Sequence, residues 1–123
     1  MANYEKLNIR QKSVDLSVDV YKLTNSNTYL QKDFALKDQI QRSSLSIASN
    51  IAEGADRWTQ KEFNRFLYIA RGSCSELKTQ MIVVKRLWYI NETDFASFDQ
   101  KIVDLHKMIN WMIQRVWKNI KDK

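Results

Sequence analysis

Seven polar residues in the middle of the chain have residue types and spacing that suit acid–base chemistry. Ser46, Asn50 and Glu53 are four and three residues apart, so they share one stripe of a helix. The remaining members follow within a turn and on the next predicted helix: Arg57, Arg71, Ser73 and Glu76. Two carboxylates beside an arginine are able to move protons to and from a substrate. No nucleophile with an adjacent histidine accompanies them, which argues against covalent catalysis.

A structural role fits the same residues better. The polar stripe runs beside an apolar stripe formed by Ile40, Ile47 and Ile51. Polar groups at the edge of a core destabilise the fold unless each has a hydrogen-bond partner. Residues of the following helix are the candidates for that partner. We therefore predict no enzymatic activity and a structural polar network between two helices, made of Ser46, Asn50, Glu53, Arg71, Ser73 and Glu76.

The chain lacks the residues for a metal site or a nucleotide cofactor. It has one histidine, His106, and one cysteine, Cys74, so no zinc set forms within one chain. No Glu-x-x-His pair is present, which excludes the di-iron type of helical bundle. There is also no glycine-rich phosphate loop. We predict no cofactor and no metal, and we interpret Cys74 as a small core residue.

A basic ridge follows the predicted third helix. Its members fall within an arc of roughly 160° at 100° per residue, and they are Arg57, Lys61, Arg65, Arg71, Lys78, Lys85 and Arg86. The two acids of that helix, Glu62 and Glu76, lie outside the arc. Such a face suits a phosphate backbone, because each neutralised phosphate releases counterions. We predict nucleic-acid contact by all of these residues except Arg71, which we assign to the polar network. The alternative is a solvated helix face.

A second basic set lies near the C-terminus, where a solubilising tail is an equal explanation: Lys101, Lys107, Arg115, Lys118 and Lys121. Among the four tryptophans, Trp58 adjoins Arg57 in a predicted loop and is a candidate for stacking on unpaired bases. Trp88 continues a core pattern, and Trp111 and Trp117 are expected to pack within the bundle or between subunits.

Composition indicates one helical domain of 123 residues. There is no proline, and Gly54 and Gly72 are the two glycines. No apolar run is long enough to span a membrane, and the first ten residues lack the apolar core of a secretory signal. Together with the single cysteine, this predicts a cytoplasmic protein. The net charge of +6 is uneven, since residues 57–86 carry seven basic and two acidic side chains. This asymmetry favours an anionic partner.

Apolar periodicity predicts four long helices. The first spans about residues 9–24, a turn follows at 25–28, and the second runs from 33 or 34 to near 55. Thr59 and Glu62 form a capping box that starts the third helix, and Asn91 or Thr93 starts the fourth. The third helix carries an apolar seam at steps of four and three: Phe63, Leu67, Ala70, Cys74, Leu77, Met81, Val84 and Trp88. Short connections then predict an all-α, antiparallel up-down-up-down bundle.

Three further expectations concern helix contacts. Gly54 is predicted to end the second helix as a left-handed cap, and Gly72 to permit a close helix crossing. Leu45, Ala48 and Ala52 form a second apolar face on the second helix. Because one bundle has only one interior, this face predicts self-association.

The motifs Ser46-Ile47, Asn50-Ile51-Ala52-Glu53-Gly54, Arg57, Phe66-Leu67, Ala70-Arg71-Gly72-Ser73 and Glu76-Leu77 carry a family resemblance. The chain resembles the small four-helix-bundle proteins encoded in intervening sequences of bacterial 23S ribosomal RNA genes, and more distantly the accessory proteins of diversity-generating retroelements. The resemblance implies a ring-like homopentamer. Ala48, Arg10 and Trp88 depart from it, where proline, tryptophan and glycine respectively are common.

These observations predict a non-enzymatic, oligomeric nucleic-acid-binding protein that prefers RNA or an RNA–DNA hybrid. The alternative is a protein–protein adaptor that docks another protein, such as a reverse transcriptase, or a purely structural oligomer. Salt distinguishes the first two, because phosphate contacts weaken steeply with ionic strength and apolar docking does not.

Overall fold

The computed structural model describes residues 3–121, which form five helices and no strand. The helices are α1 (Asn3–Ser26), α2 (Thr28–Lys32), α3 (Phe34–Ala55), α4 (Gln60–Arg86) and α5 (Glu92–Lys121). The predicted all-α fold class is confirmed. None of the described helices is long and apolar enough to cross a membrane.

The four long helices pack around one core. Helix α1 lies against α3 and α5, and α4 lies against the same two helices from the other side. Arg10, near the start of α1, contacts Asp56 at the end of α3. Tyr68, in the first part of α4, is bonded to Trp117 near the end of α5. These two contacts place the start of one helix beside the end of another, and only residues 56–59 connect α3 to α4. Successive long helices therefore run antiparallel.

The core follows the predicted apolar seam of α4. From Phe63 to Val84, each seam residue is at most 1% exposed. The facing side chains of α5 also lie inside, with Ile102, Ile109 and Val116 at most 1% exposed. Helical periodicity therefore identified the buried side of both helices correctly.

The first connection differs from the prediction. Helix α1 continues to Ser26, and the predicted turn at residues 25–28 contains only one non-helical residue, Asn27. Asn27 caps the short helix α2, because its Oδ1 accepts a hydrogen bond from the amide of Leu30 at 3.0 Å. Leu30 is fully buried, so this single turn closes one end of the core. The prediction of a turn differed because side chains that favour turns, such as Asn, also favour helix N-caps, and here Asn27 is such a cap.

Neither glycine has its predicted role. Gly54 is helical and buried, with no positive φ, so it is not a left-handed cap. A Cβ at Gly54 would lie 2.7 Å from Cβ of Phe66, which shows that α3 and α4 approach closely here. A Cβ at Gly72 would meet nothing within 4 Å. The close crossing is at Gly54, and Gly72 lies on an exposed face.

The ends of α4 are set by local hydrogen bonds. Thr59 Oγ1 accepts a hydrogen bond from the amide of Glu62 at 3.1 Å, as predicted. The Glu62 carboxylate pairs with Arg65. At the other end the seam stops at Val84, because Leu87 ends the helix and Trp88 has a φ of 63°. Trp88 is 85% exposed, so the prediction that it continues the core is wrong.

Candidate nucleic-acid interface

The predicted polar network begins as expected at the α3–α4 contact. The hydroxyls of Ser46 and Ser73 lie 2.8 Å apart. The Asn50 side-chain amide donates to the carbonyl oxygen of Ser46 at 2.8 Å and to its hydroxyl at 3.1 Å. The Ser46–Ser73 bond joins α3 to α4, whereas the Asn50 bonds lie within α3 and orient Ser46, and Ser73 is buried. We interpret this part of the site as structural, because both hydroxyls and the Asn50 amide nitrogen have hydrogen-bond partners within it.

The other predicted members lie elsewhere. Glu53 is exposed and pairs with Arg57, one turn along the chain. Arg71 faces α5, because at 100° per residue it lies about 200° around α4 from Ser73. Glu76 is exposed and has no hydrogen bond or ion pair within residues 3–121. The predicted contact of Arg71 and Glu76 with Glu53 is therefore wrong.

Arg71 instead joins a polar chain that the sequence reading missed. Its guanidinium donates to Oδ1 of Asn110 at 3.1 Å and lies 4.7 Å from the Tyr68 ring centroid. The Asn110 amide lies 3.2 Å from Nδ1 of His106. Burial, followed by the positive charges of Arg71 and Lys78, lowers the pKa of His106. The only signal in the sequence was the spacing of His106 and Asn110, four residues apart on one helix face.

The predicted basic ridge is not free of acids. Arg57 pairs with Glu53 and Arg65 with Glu62. Lys78 lies 3.3 Å from Asp99, and Lys85 lies 3.3 Å from Glu92. These last two carboxylates belong to α5, so no analysis of α4 alone reveals them.

Two members of the ridge, Lys61 and Arg86, are exposed and form no ion pair with the described residues. They lie near opposite ends of α4, a helix of 27 residues. The ridge therefore does not act as one continuous positive face. Its remaining charge is divided between the two ends of the bundle.

The second basic set, near the C-terminus, contains exposed cations without carboxylate partners, of which the ridge has only two. Lys101 pairs with Asp19 at 2.9 Å, but residues 105–121 contain four basic side chains and no acid. Those four are exposed and have no ion pair within the described residues: Lys107, Arg115, Lys118 and Lys121. The second half of α5 lies beside the first half of α4, as the 2.8 Å bond from Trp117 Nε1 to the Tyr68 hydroxyl shows.

We name the resulting region the α4–α5 basic surface, and it is defined by Lys61, Lys107, Arg115, Lys118 and Lys121. Aromatic side chains lie among these cations. Trp111 is 48% exposed, and the Arg115 guanidinium lies 5.3 Å from its ring centroid. Trp58 is fully exposed in the loop that precedes α4. Cations interleaved with aromatic rings suit phosphates and bases together.

The chemistry of the remaining candidates is limited. Burial raises the pKa of the Cys74 thiol to about 11, so the group is protonated at neutral pH and is a poor nucleophile. Its Sγ lies 3.6 Å from the carbonyl oxygen of Ile102, within the core. Within residues 3–121, no group of three or more acidic, histidine or cysteine side chains is placed to hold a metal ion.

An apolar stripe on the opposite side of the bundle accompanies these polar features. We name it the α1–α3 apolar stripe: Leu7, Val14, Val18 and Leu45, each about half exposed. Val18 and Leu45 line one shallow groove of about 430 Å³. Of the predicted second face of α3, Leu45 is exposed and Ala52 is half-buried, whereas Ala48 is buried.

Comparisons with known proteins match this architecture. The family model of the 23S rRNA-intervening sequence protein matches residues 5–111. The chain is also similar to a solved structure from Bacteroides thetaiotaomicron, a protein of unknown function from the S23 ribosomal protein family. The TM-score is 0.84 at 24% identity, over 89% of this chain and 98% of that chain. At this identity the likeness shows the fold alone. No curated protein matches the chain.

Proposed function

We propose that this chain, which belongs to the 23S rRNA-intervening sequence protein family, is a non-enzymatic nucleic-acid-binding protein. The α4–α5 basic surface contacts phosphates, and RNA or an RNA–DNA hybrid is the preferred ligand. The observation that carries the proposal is the set of five exposed cations without carboxylate partners in residues 3–121, interleaved with exposed tryptophans.

Charge pairing decides which cations take part. A lysine that already neutralises a carboxylate releases fewer counterions when it meets a phosphate. Lys78 and Lys85 are in this position, through Asp99 and Glu92. Lys61 and Lys118 are not, and both are exposed. We therefore assign the main contacts to the α4–α5 basic surface, and secondary contacts to the paired residues of the ridge, Arg57, Arg65, Lys78 and Lys85.

Self-association is part of the proposal. The α1–α3 apolar stripe lies on α1 and α3, whereas the cations of the basic surface lie on α4 and α5, so the stripe is able to pack against another copy and leave the cations exposed. The family resemblance implies five copies. In a closed ring the basic surface repeats around the assembly, and several weak phosphate contacts act together on one nucleic acid.

The test compares two double variants that remove the same charge. Lys61→Gln/Lys118→Gln removes two cations of the α4–α5 basic surface. Lys12→Gln/Lys22→Gln removes two exposed lysines of α1. Binding of a fluorescent structured RNA is measured by anisotropy at several salt concentrations. We expect the first variant to bind more weakly, with a slope of log K against log salt reduced by about 1.5.

The control variant is expected to bind like the wild type, because its lysines lie on another helix. Equal weakening in both variants would show a response to net charge alone and contradict the assignment. Unchanged helicity and melting temperature in both variants show that the fold is intact.

The alternative function is a protein–protein adaptor, and the α1–α3 apolar stripe is the observation that favours it. In this role the stripe docks another protein, of which a reverse transcriptase is an example. Apolar docking responds weakly to salt, whereas phosphate contacts weaken steeply as the salt concentration rises. Binding to a protein partner that persists at high salt, with no binding of RNA at low salt, would support the adaptor.

A further inference from the structure

The C-terminal end of α4 is closed by a cap that normally uses glycine. The amide of Trp88 donates to the carbonyl of Lys85 at 3.0 Å, and the amide of Tyr89 donates to that of Val84 at 3.1 Å. This pair of bonds is the Schellman motif, which places its central residue in the left-handed region. Trp88 occupies that position with a φ of 63°, and it is the only non-glycine residue with a positive φ in the described chain.

The Trp88 side chain adds no core packing that would offset the cost of this backbone conformation. It is 85% exposed, so the indole neither fills the core nor covers an apolar neighbour completely. A glycine would form the same backbone bonds without the steric cost of a Cβ. A bulky side chain held out in solvent from a strained position indicates a role outside the folded chain.

An ordered aromatic surface surrounds Trp88. Together with Tyr29, Tyr89 and Arg86, it lines a recess of about 560 Å³. The Tyr29 and Tyr89 rings are stacked, with centroids 5.4 Å apart and planes 8° from parallel. The Tyr89 hydroxyl donates to Asp33 at 3.1 Å, which fixes the pair in place.

The backbone beneath these rings is also held. The Asn27 side chain donates to the carbonyl oxygen of Tyr89 at 2.7 Å, so the cap of α2 and the end of α4 are joined. Tyr29 nevertheless remains 57% exposed. Rings that are ordered before binding lose little conformational entropy when a flat ligand stacks on them.

The charge around the rings favours an anionic ligand. Arg86 and Lys32 are exposed and form no ion pair with the described residues. Lys32 lies on the adjacent recess, beside Asp33. Two carboxylates line these recesses: Glu92 is paired with Lys85, and Asp33 accepts a hydrogen bond from Tyr89, so the cations Lys32, Lys85 and Arg86 outnumber the acids by one. Flat rings beside free cations match a nucleobase and its phosphate.

We propose that Tyr29, Trp88 and Tyr89 form a stacking site for unpaired bases of single-stranded RNA, with phosphates on Lys32 and Arg86. The site rests on the proposed function, because it assumes a nucleic-acid ligand, and it adds the class of that ligand. It lies at the opposite end of α4 from Lys61, roughly 40 Å away along a helix of 27 residues. The two surfaces are therefore separable by mutation.

The decisive variant is Trp88→Gly, in which stability and binding move in opposite directions. Glycine relieves the left-handed strain, so the melting temperature rises. Loss of the indole weakens binding to a fluorescent 15-nucleotide oligo(A) RNA by about tenfold. Affinity for a blunt 15-base-pair RNA duplex stays unchanged, since paired bases are not available to stack. Trp88→Tyr keeps an aromatic ring and retains most of the single-strand affinity.

Several outcomes overturn the inference. Wild-type affinity of Trp88→Gly for oligo(A) removes the stacking site but leaves the proposed function, which duplex binding and the Lys61→Gln/Lys118→Gln variant test. Absence of all RNA binding in the wild type defeats both. A smaller assembly for Trp88→Gly in sedimentation would show that the rings contact another subunit, and that result also contradicts the inference.

Discussion

At the scale of single residues, His106 gives the clearest consequence of the structure. Its Nδ1 faces the amide of Asn110 at 3.2 Å, and the same Asn110 is held through its oxygen by Arg71. An amide that donates to Nδ1 requires that nitrogen to be unprotonated. The arrangement therefore favours neutral His106, in agreement with the lowered pKa caused by burial and by Arg71 and Lys78.

This lowered pKa predicts a loss of stability in acid. The unfolded chain takes up a proton on His106 near pH 6.5, whereas the folded chain resists it. The stabilising contribution is therefore present above pH 6.5 and is lost as pH falls through the lower, folded pKa. We expect the melting temperature of wild type to fall more between pH 7.5 and 5.5 than that of His106→Gln. Parallel curves for the two proteins would contradict this role.

At the scale of helices, the sequence was sufficient for the long elements and their buried sides. The seam from Phe63 to Val84 is continuous because apolar spacing reports directly on the face that a helix buries. The cap at Thr59 was also predictable from the sequence, because its hydrogen bond joins residues only three positions apart.

The side-chain contacts between different helices could not be predicted from the spacing of residues along one helix. The partners of Lys78 and Lys85 are Asp99 and Glu92, at least seven positions further along the chain and on another helix. The orientation of Arg71 toward Asn110 depends on the rotation of α4 in the bundle. The error at Trp88 has a different cause, because α4 ends at Arg86, two residues before the apolar pattern does. The apolar spacing alone does not show where α4 ends.

The two glycines test the account of helix docking with opposite signs. Gly54→Ala places a Cβ 2.7 Å from Cβ of Phe66, so α3 and α4 must separate, and we expect a loss of about 1–3 kcal/mol. Gly72→Ala meets nothing within 4 Å, and we expect a gain of up to about 1 kcal/mol. Urea denaturation measures both changes in the free energy of unfolding. The same sign for both variants would contradict the assignment of the close crossing to Gly54.

At the scale of the whole molecule, charge and apolar surface are separated. The unpaired cations lie in the second half of α5 and at the start of α4, and Lys107 also lines a groove between α5 and the start of α1. The α1–α3 apolar stripe lies on the other helices. This separation is the basis for proposing one surface for nucleic acid and another for self-association.

A charge placed in the apolar stripe tests the proposed assembly. Val18 is 45% exposed in the single chain, so Val18→Asp has little effect on the folding of one copy. Burial of the new carboxylate between copies is strongly unfavourable. We expect sedimentation equilibrium to show a smaller assembly for Val18→Asp. The matched variant Ser97→Asp, at an exposed position of α5, is expected to keep the wild-type mass. Equal masses for all three proteins would place the subunit contact elsewhere.

The salt dependence of RNA binding by the wild-type protein tests the central proposal most directly. The measurement is a titration of a fluorescent structured RNA, and of its DNA counterpart, from low to physiological salt. If all five cations of the α4–α5 basic surface contact phosphates, the affinity falls with a slope of about 3.5 to 4.5 in log K against log salt. RNA is predicted to bind more tightly than DNA. No binding at low salt, or a slope below about 1, would contradict a nucleic-acid function for this surface.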